Sequence, residues 1–161
     1  IMVGGPMEAF EKVKPYFESI SPNVIHCGDT GNGHVVKIVN NTIAACNRLA
    51  MYEAVAVGKK YGLSLQTMSD VINKSSGRSG ATETALPALL EGRQASNFAI
   101  GLMLKDVGLG AKLGINAGAP MMIANVVRGM LQAGTYELGE GVNLDEVRQM
   151  IEAWADVKLV D

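Results

Sequence analysis

Apolar positions in the first 28 residues predict a strand, an amphipathic helix and a second strand. Residues 1–3 are apolar and precede a Gly-Gly-Pro turn that suits the start of a helix. In the segment MEAFEKVKPYFESI, residues 7–20, apolar side chains recur every three or four positions, as on one face of a helix. Pro15 predicts a break or kink within this helix, and residues 23–27 form the second strand. This order is typical of the end of an α/β domain, and a chain that opens inside a strand is expected to be part of a longer protein.

After residue 28 the pattern predicts helices only. The proline-free run 33–61 has apolar residues around most of its circumference, which indicates a long central helix buried on most sides. Gly62 ends this helix and Ser64 caps the next one. Further helices are predicted over 65–76, 82–91, 100–116, 120–133 and 144–158.

Two local signals refine the prediction of these helices. Pro87 is expected to interrupt the helix at 82–91. Asn143, with Glu146 three residues later, resembles a capping box at the start of the last helix. The predicted fold is therefore mainly α. An all-helical domain with a long central helix, residues 29–161, follows a strand-helix-strand segment, residues 1–28.

Composition and charge exclude several classes of protein. The 161 residues carry a net charge of −2, with no Lys/Arg cluster interleaved with aromatics, so no nucleic acid partner is expected. No apolar run reaches the length of a membrane span. Cys27 and Cys46 lack ligand spacing, so no metal site is predicted, and free thiols fit the cytoplasm or, alternatively, the mitochondrial matrix. An apolar content of 48% predicts a homo-oligomer.

The segment GDTGNGHVVKIVNN, residues 28–41, holds the candidate chemistry. Its glycines do not follow G-x-G-x-x-G and indicate a strand-to-helix junction that needs positive φ. Lys37 and Asn41 are four residues apart, so they share one helix face. Lys37 either reaches solvent along its aliphatic stem or acts on a substrate. In the second case, lost hydration and the positive helix end would lower its pKa and let it exchange a proton with an alcohol or carbonyl.

This segment resembles the lysine motif of the β-hydroxyacid dehydrogenases, G-x-x-G-x-G-x-x-x-K-x-x-x-N. The stretches IMVGG, INKSSGRS and LKDVGLG are also similar to 3-hydroxyisobutyrate dehydrogenase and its relatives. Taken alone, Lys105 and Asp106 in the last of these stretches would be a surface ion pair at the rim of a helix. The resemblance covers nearly the whole chain.

The resemblance implies a fold, an activity and a set of site residues. In that family an N-terminal Rossmann domain holds NAD or NADP, and an all-α domain completes the cleft for a small hydroxy acid. Residues 1–28 would be the end of the Rossmann domain. The implied roles are catalysis for Lys37, substrate binding for Asn41 and Ser75, and cofactor binding for Lys105, Asp106 and Phe98.

One departure from the family pattern affects the expected activity of this chain. The G-x-G-x-x-G fingerprint of the cofactor domain is absent from residues 1–161, so the chain alone is expected to be inactive. The sequence leaves open which hydroxy acid is the substrate and which of the two cofactors is used. An alternative function is a non-catalytic helical oligomerisation module, in which Lys37 would be incidental.

Overall fold

The computed structural model describes residues 1–160, which form two compact units, residues 1–41 and residues 42–160. In the first unit, strands β1 (Met2–Val3) and β2 (Ile25–His26) pair in parallel, with Met2 opposite Ile25. Helix α1 (Met7–Glu18) connects them. The mainly helical fold class with a short strand-helix-strand segment is thereby confirmed.

Helix α1 runs through Pro15 without interruption, so the predicted break is wrong. A proline removes one backbone donor and crowds the preceding turn. Here it lies near the end of the helix, where few intrahelical bonds remain to be lost. Phe10, the buried residue of α1, packs its ring 4.9 Å from the ring of His26. This contact holds the apolar face of α1 against the second strand.

The glycines between β2 and the next helix serve two different purposes. Gly28 and Gly31 have φ angles of 91° and 96°, which side chains rarely adopt, so the predicted positive-φ junction is confirmed at both. Gly33 instead permits a close approach, because a Cβ there would lie 2.7 Å from the Met2 carbonyl oxygen. The junction therefore places the first turn of the long helix directly against β1.

The long helix is α2 (Asn32–Lys60), close to its predicted bounds. Among the described residues the chain continues with five more α-helices and one 3₁₀ turn. They are α3 (Leu65–Ile72), α4 (Gly80–Leu90), α5 (Ile100–Ala117), α6 (Met122–Leu138), the 3₁₀ turn (Leu144–Val147) and α7 (Arg148–Ala155).

The second unit has two apolar cores, and α2 contributes to both. Tyr52 and Val55, both fully buried, pack with residues of α3, α4 and α7. Ala45 and Leu49 pack with residues of α5 and α6. A helix that supplies side chains to two cores needs apolar residues on more than one face. This explains the broad apolar pattern of its sequence.

The prediction that α2 is buried on most sides is nevertheless wrong. Val39, Ile43 and Val57 expose 49%, 56% and 58% of their surface. Helix α6 also presents a large apolar face, with Met122 and Ile123 more than 70% exposed. The exposed apolar surface is a property of this chain that its pattern did not reveal, since periodicity cannot show which faces find a partner.

Two further local predictions need correction. Helix α4 continues through Pro87, because its buried neighbours Leu86 and Leu89 hold the helix in the core. Asn143 caps the next segment by accepting from the Asp145 amide at 2.9 Å, whereas Glu146 bonds with Arg148 instead of returning to Asn143. The predicted capping box is therefore not formed, because Asn143 caps the amide of Asp145 and not that of Glu146. The predicted last helix is a 3₁₀ turn followed by a short α-helix.

A complete capping box lies elsewhere, at the start of α4. Ser79 accepts from the Thr82 amide, and the Thr82 hydroxyl accepts from the Ser79 amide at 2.9 Å. The usual sequence signature of a capping box has Glu or Gln at the third helical position, so a threonine at that position does not predict one. Among residues 1–160, no helix combines the length and apolarity needed to cross a bilayer.

Candidate active site

Lys37 and Asn41 lie on one half-buried face of α2, one turn apart. Of the three residues between them, Ile38 is buried whereas Val39 and Asn40 are exposed, so Lys37 and Asn41 lie between the buried and the exposed sides of the helix. The Oδ1 atom of Asn41 accepts from the side-chain Nδ2 of Asn40 at 3.3 Å. This arrangement agrees with the shared face that the four-residue spacing predicts.

Ser75 lies in the exposed turn between α3 and α4. Its amide donates to the Ile72 carbonyl at 3.0 Å, and its carbonyl accepts from the Arg78 amide at 3.1 Å. Both contacts involve the backbone and shape the turn. The hydroxyl is therefore carried on a defined loop of the second unit, accessible to solvent.

Phe98 and Lys105 flank the start of α5. Phe98 is partly buried against the core formed with α6, two residues before the helix begins. Lys105 follows in the second turn, with 59% of its side chain exposed. Phe98 and Lys105, two of the three residues assigned to the cofactor by resemblance, thus belong to one short segment of the second unit.

Asp106 differs from its predicted setting on the surface. Its side chain is only 1% exposed, and its Oδ1 atom lies 3.2 Å from the Lys105 Nζ. A carboxylate so deep in the protein must be paired, because desolvation strongly disfavours an isolated charge. The pair therefore joins an exposed ammonium, that of Lys105, to a buried carboxylate, that of Asp106. It is not the ion pair between two surface residues that these two positions predict when taken alone.

A second buried ion pair is not predicted from the sequence. Arg48 on α2 bonds with Asp145 in the 3₁₀ turn, and both residues are less than 10% exposed. The Tyr52 hydroxyl lies 3.4 Å from the same carboxylate oxygen. A single arginine within an apolar helix was the available signal, since an arginine there is rarely buried without a partner.

Burial shifts two pKa values near this part of α2. It raises the pKa of Tyr52 to about 12, against an opposing effect of the neighbouring Arg48 guanidinium. Burial also raises the pKa of the Cys46 thiol, which faces an apolar groove of about 470 Å³ beside the start of α6. A raised thiol pKa disfavours the thiolate, so Cys46 is not set up as a nucleophile.

Metal binding has no candidate residues within 1–160, where no cluster of three or more His, Cys, Asp or Glu side chains is placed to hold an ion.

Solved structures place this fold among hydroxy acid dehydrogenases. One match is a Mycobacterium tuberculosis 3-hydroxyisobutyrate dehydrogenase with L-serine, with a TM-score of 0.84 and 26% identity. It covers 93% of this chain and 54% of the other. A 3-hydroxyisobutyrate dehydrogenase from Salmonella typhimurium matches with a TM-score of 0.80 and 26% identity, covering 91% and 52% of the two chains.

Sequence comparisons identify the family. Residues 31–152 match the family model described as NAD-binding of NADP-dependent 3-hydroxyisobutyrate dehydrogenase. A 2-(hydroxymethyl)glutarate dehydrogenase from Eubacterium barkeri is 36% identical over 155 residues, which are 96% of this chain and 50% of that protein. A 3-hydroxyisobutyrate dehydrogenase from Pseudomonas aeruginosa is 37% identical over 115 residues, 67% of this chain and 39% of that protein. The chain belongs to the 3-hydroxyisobutyrate dehydrogenase family, as the resemblance implied.

The chain spans about half the length, or less, of the curated relatives it matches. One of them, from Dictyostelium discoideum, is named as a probable mitochondrial 3-hydroxyisobutyrate dehydrogenase.

Proposed function

We propose that this chain is the helical domain of an NAD(P)-dependent β-hydroxyacid dehydrogenase. The enzyme would oxidise a small hydroxy acid to the semialdehyde or keto acid, or catalyse the reverse reaction. The observation that carries the proposal is the placement of Lys37 and Asn41 on one half-buried face of α2, in the lysine motif of the family. Both residues lie within the region that matches the family model.

In this reaction Lys37 is the general acid and base. Its Nζ atom takes the proton of the substrate hydroxyl in the oxidation and returns a proton to the carbonyl oxygen in the reduction. The Asn41 amide has a donor and an acceptor, so it can hold the same substrate oxygen in reach of the lysine. Ser75 is a second hydrogen-bonding group that we assign to the substrate.

NAD or NADP, when bound, supplies or accepts the hydride. We assign Phe98, Lys105 and Asp106 to its nicotinamide end. An exposed ammonium backed by a buried carboxylate and preceded by a half-buried ring suits a polar, planar group. The glycine fingerprint that would hold the pyrophosphate is absent from residues 1–161.

A division into two domains follows from this assignment. We place the pyrophosphate site in the half of the relatives that this chain does not span. Residues 1–28 are then the end of the cofactor domain and residues 29–161 the substrate and dimerisation domain.

Exposed apolar surface supports a homo-oligomer. Helices α2 and α6 both present large apolar side chains to solvent, including Ile43, Ile123 and Val126. Exposed apolar patches of this kind mark interfaces between proteins.

For the compartment we propose the cytoplasm, with the mitochondrial matrix as the alternative, since a matched relative is named as mitochondrial.

The alternative function, a non-catalytic oligomerisation module, would use the same apolar faces. The relatives named above are dehydrogenases, which favours the catalytic function. The residues of the lysine motif also favour it, because a packing module does not require a lysine and an amide on one half-buried face.

The test is a fusion protein in which the amino-terminal half of the Eubacterium barkeri relative precedes residue 1. We expect oxidation of at least one compound from a panel of small hydroxy acids, assayed with both NAD and NADP. A folded, oligomeric fusion with no activity on any substrate of the panel would favour the module instead. The same fusion with Lys37 replaced by alanine is the control for activity that originates elsewhere.

A further inference from the structure

The first turn of α5 is capped by a separate segment of the chain. Its N-cap residue, Ala99, makes no side-chain cap, so the first amides need other partners. The Ile100 amide donates to the Val142 carbonyl at 2.8 Å, and the Gly101 amide donates to the Glu140 carbonyl at 2.9 Å. We call residues 140–145 the α5 brace.

Contact between the α5 brace and this helix is close. A Cβ on Gly101 would lie 3.0 Å from both the Cβ and the carbonyl oxygen of Glu140. The brace therefore fits against a position where a side chain would not be accommodated without a shift. This tight fit gives the start of α5 little freedom to move relative to the brace.

The α5 brace also holds the loop before α5. The Leu144 amide donates to the Phe98 carbonyl at 2.7 Å, and the Asn143 side chain donates to the Ser96 carbonyl at 2.6 Å. The Oδ2 atom of Asp145 accepts from the Ala95 amide at 2.7 Å and from the Ser96 amide at 3.3 Å. The loop is thus held at three of its residues.

Asp145 connects this loop to the central helix. Its other oxygen, Oδ1, pairs with the Arg48 guanidinium and lies within reach of the Tyr52 hydroxyl. Both charged residues are buried, so the pair is shielded from solvent and geometry decides its strength. One carboxylate therefore joins α2, the loop at 94–99 and the brace.

We infer that Asp145, held by Arg48, is a positioning residue for the cofactor side of the site. It fixes the loop that carries Phe98 and, through the α5 brace, the start of the helix that carries Lys105. The inference rests on the proposed function, because only that function assigns Phe98 and Lys105 to cofactor binding. Asp145 itself is buried, and we assign it no contact with substrate or cofactor. A group displaced by about 1 Å can reduce turnover or binding severely, which is why such a support matters.

Glu152 is a matched control for the experiment. It is also a buried carboxylate, it pairs with Arg148, and it accepts from the Leu159 amide at 2.8 Å. Glu152→Gln therefore removes a buried charge and weakens a backbone contact, as Asp145→Asn does. The backbone contact of Glu152 holds Leu159, whereas that of Asp145 holds the loop before α5.

The first measurement is amide hydrogen exchange on the 161-residue chain. We expect Asp145→Asn to lower the protection of Ala95, Ser96 and Ile100 by about tenfold relative to Leu131 in α6. Glu152→Gln should lower protection at Leu159 and leave the loop unchanged. The positioning role would be overturned if both variants lost amide protection equally in the loop, or if Asp145→Asn lost no protection there. If Asp145→Asn does not fold, Asn143→Ala replaces it, because that change weakens the same loop without leaving a buried charge unpaired.

The second measurement is steady-state kinetics on the fusion protein. We expect Asp145→Asn to raise the KM for the nicotinamide cofactor about tenfold while kcat falls less than about threefold. Glu152→Gln should leave both within twofold. An unchanged cofactor KM, in a variant whose loop exchanges faster, would show that the loop does not position the cofactor and would overturn the inference. An inactive unsubstituted fusion would overturn the proposed function and the cofactor role together, whereas the exchange result would still decide whether Asp145 fixes the loop.

Discussion

Arg48 of the central helix and Asp145 of the 3₁₀ turn form a buried ion pair across 97 positions of the sequence. Such a pair adds modest net stability, but removal of one partner leaves a desolvated charge without compensation. We therefore expect the loss of either partner alone to destabilise the fold more than the loss of both would suggest.

We expect Arg48→Met and Asp145→Asn, each alone, to lower the free energy of unfolding by about 3–5 kcal/mol. The double variant should be more stable than the sum of the two losses implies, because it removes both charges. Urea unfolding of the four proteins in a double-mutant cycle measures this coupling. Additive losses would show that the two side chains do not depend on each other.

Substitution of Lys37 tests the assignment of the acid and base. In the fusion protein, Lys37→Ala should lower kcat by about two to four powers of ten, which is the usual contribution of a positioned general acid or base. Cofactor KM should change much less. Lys12→Ala is the control, since that lysine is 72% exposed and pairs with Glu8, one turn away on the surface of α1. A kcat near that of the unsubstituted fusion in Lys37→Ala would remove Lys37 from the reaction.

Substitution of Asn41 tests the substrate side of the same helix face. Asn41→Ala should raise substrate KM or lower kcat while the melting temperature stays close to that of the unsubstituted protein. Asn40→Ala should have a smaller effect, because Asn40 is exposed and contributes to this face through a 3.3 Å hydrogen bond from its side-chain amide to Asn41. Lower thermal stability without a kinetic effect would make Asn41 a structural residue.

The raised pKa of Tyr52 predicts that the folded protein loses stability at alkaline pH. Its pKa is raised from 10.0 to about 12, so the folded state favours the protonated phenol. The corresponding stability is fully present below pH 10 and is lost as the pH rises from 10 to about 12. A shift of two units is worth about 2–3 kcal/mol in the free energy of unfolding.

We expect Tyr52→Phe to reduce the fall in stability between pH 10 and 12, as measured by urea unfolding across this range. Tyr136→Phe is the control, because Tyr136 is 90% exposed and should leave the slope unchanged. The same alkaline slope in Tyr52→Phe and in the unsubstituted chain would place the effect on another group.

Cofactor binding by the 161-residue chain provides a further test. We expect a helical circular dichroism spectrum together with no heat on titration with NADH or NADPH. The helical unit has its own apolar cores, whereas the pyrophosphate needs the glycine-loop amides that this sequence lacks. Because the matched family model is an NAD-binding one, the titration decides whether residues 1–161 bind the cofactor by themselves. Tight binding of either cofactor would place the nucleotide site within residues 1–161.

Several features of this protein were determined by its local sequence. The order of the helices follows from spacings of three and four residues, and the junction at Gly28 and Gly31 follows from the conformational freedom of glycine. The shared face of Lys37 and Asn41 follows from the pitch of an α-helix. Each of these depends on residues within one or two turns of one another, so a single stretch of sequence carries the whole signal.

Other features were decided only by the tertiary structure. Pro87 remains inside a helix, and α2 leaves Val39 and Ile43 exposed, because packing against distant elements determines which local preferences prevail. Asp106 is buried and Asp145 meets Arg48 for the same reason. The energy of a buried charge depends on its partner and its solvent exposure, and neither can be read from the residues beside it in the chain.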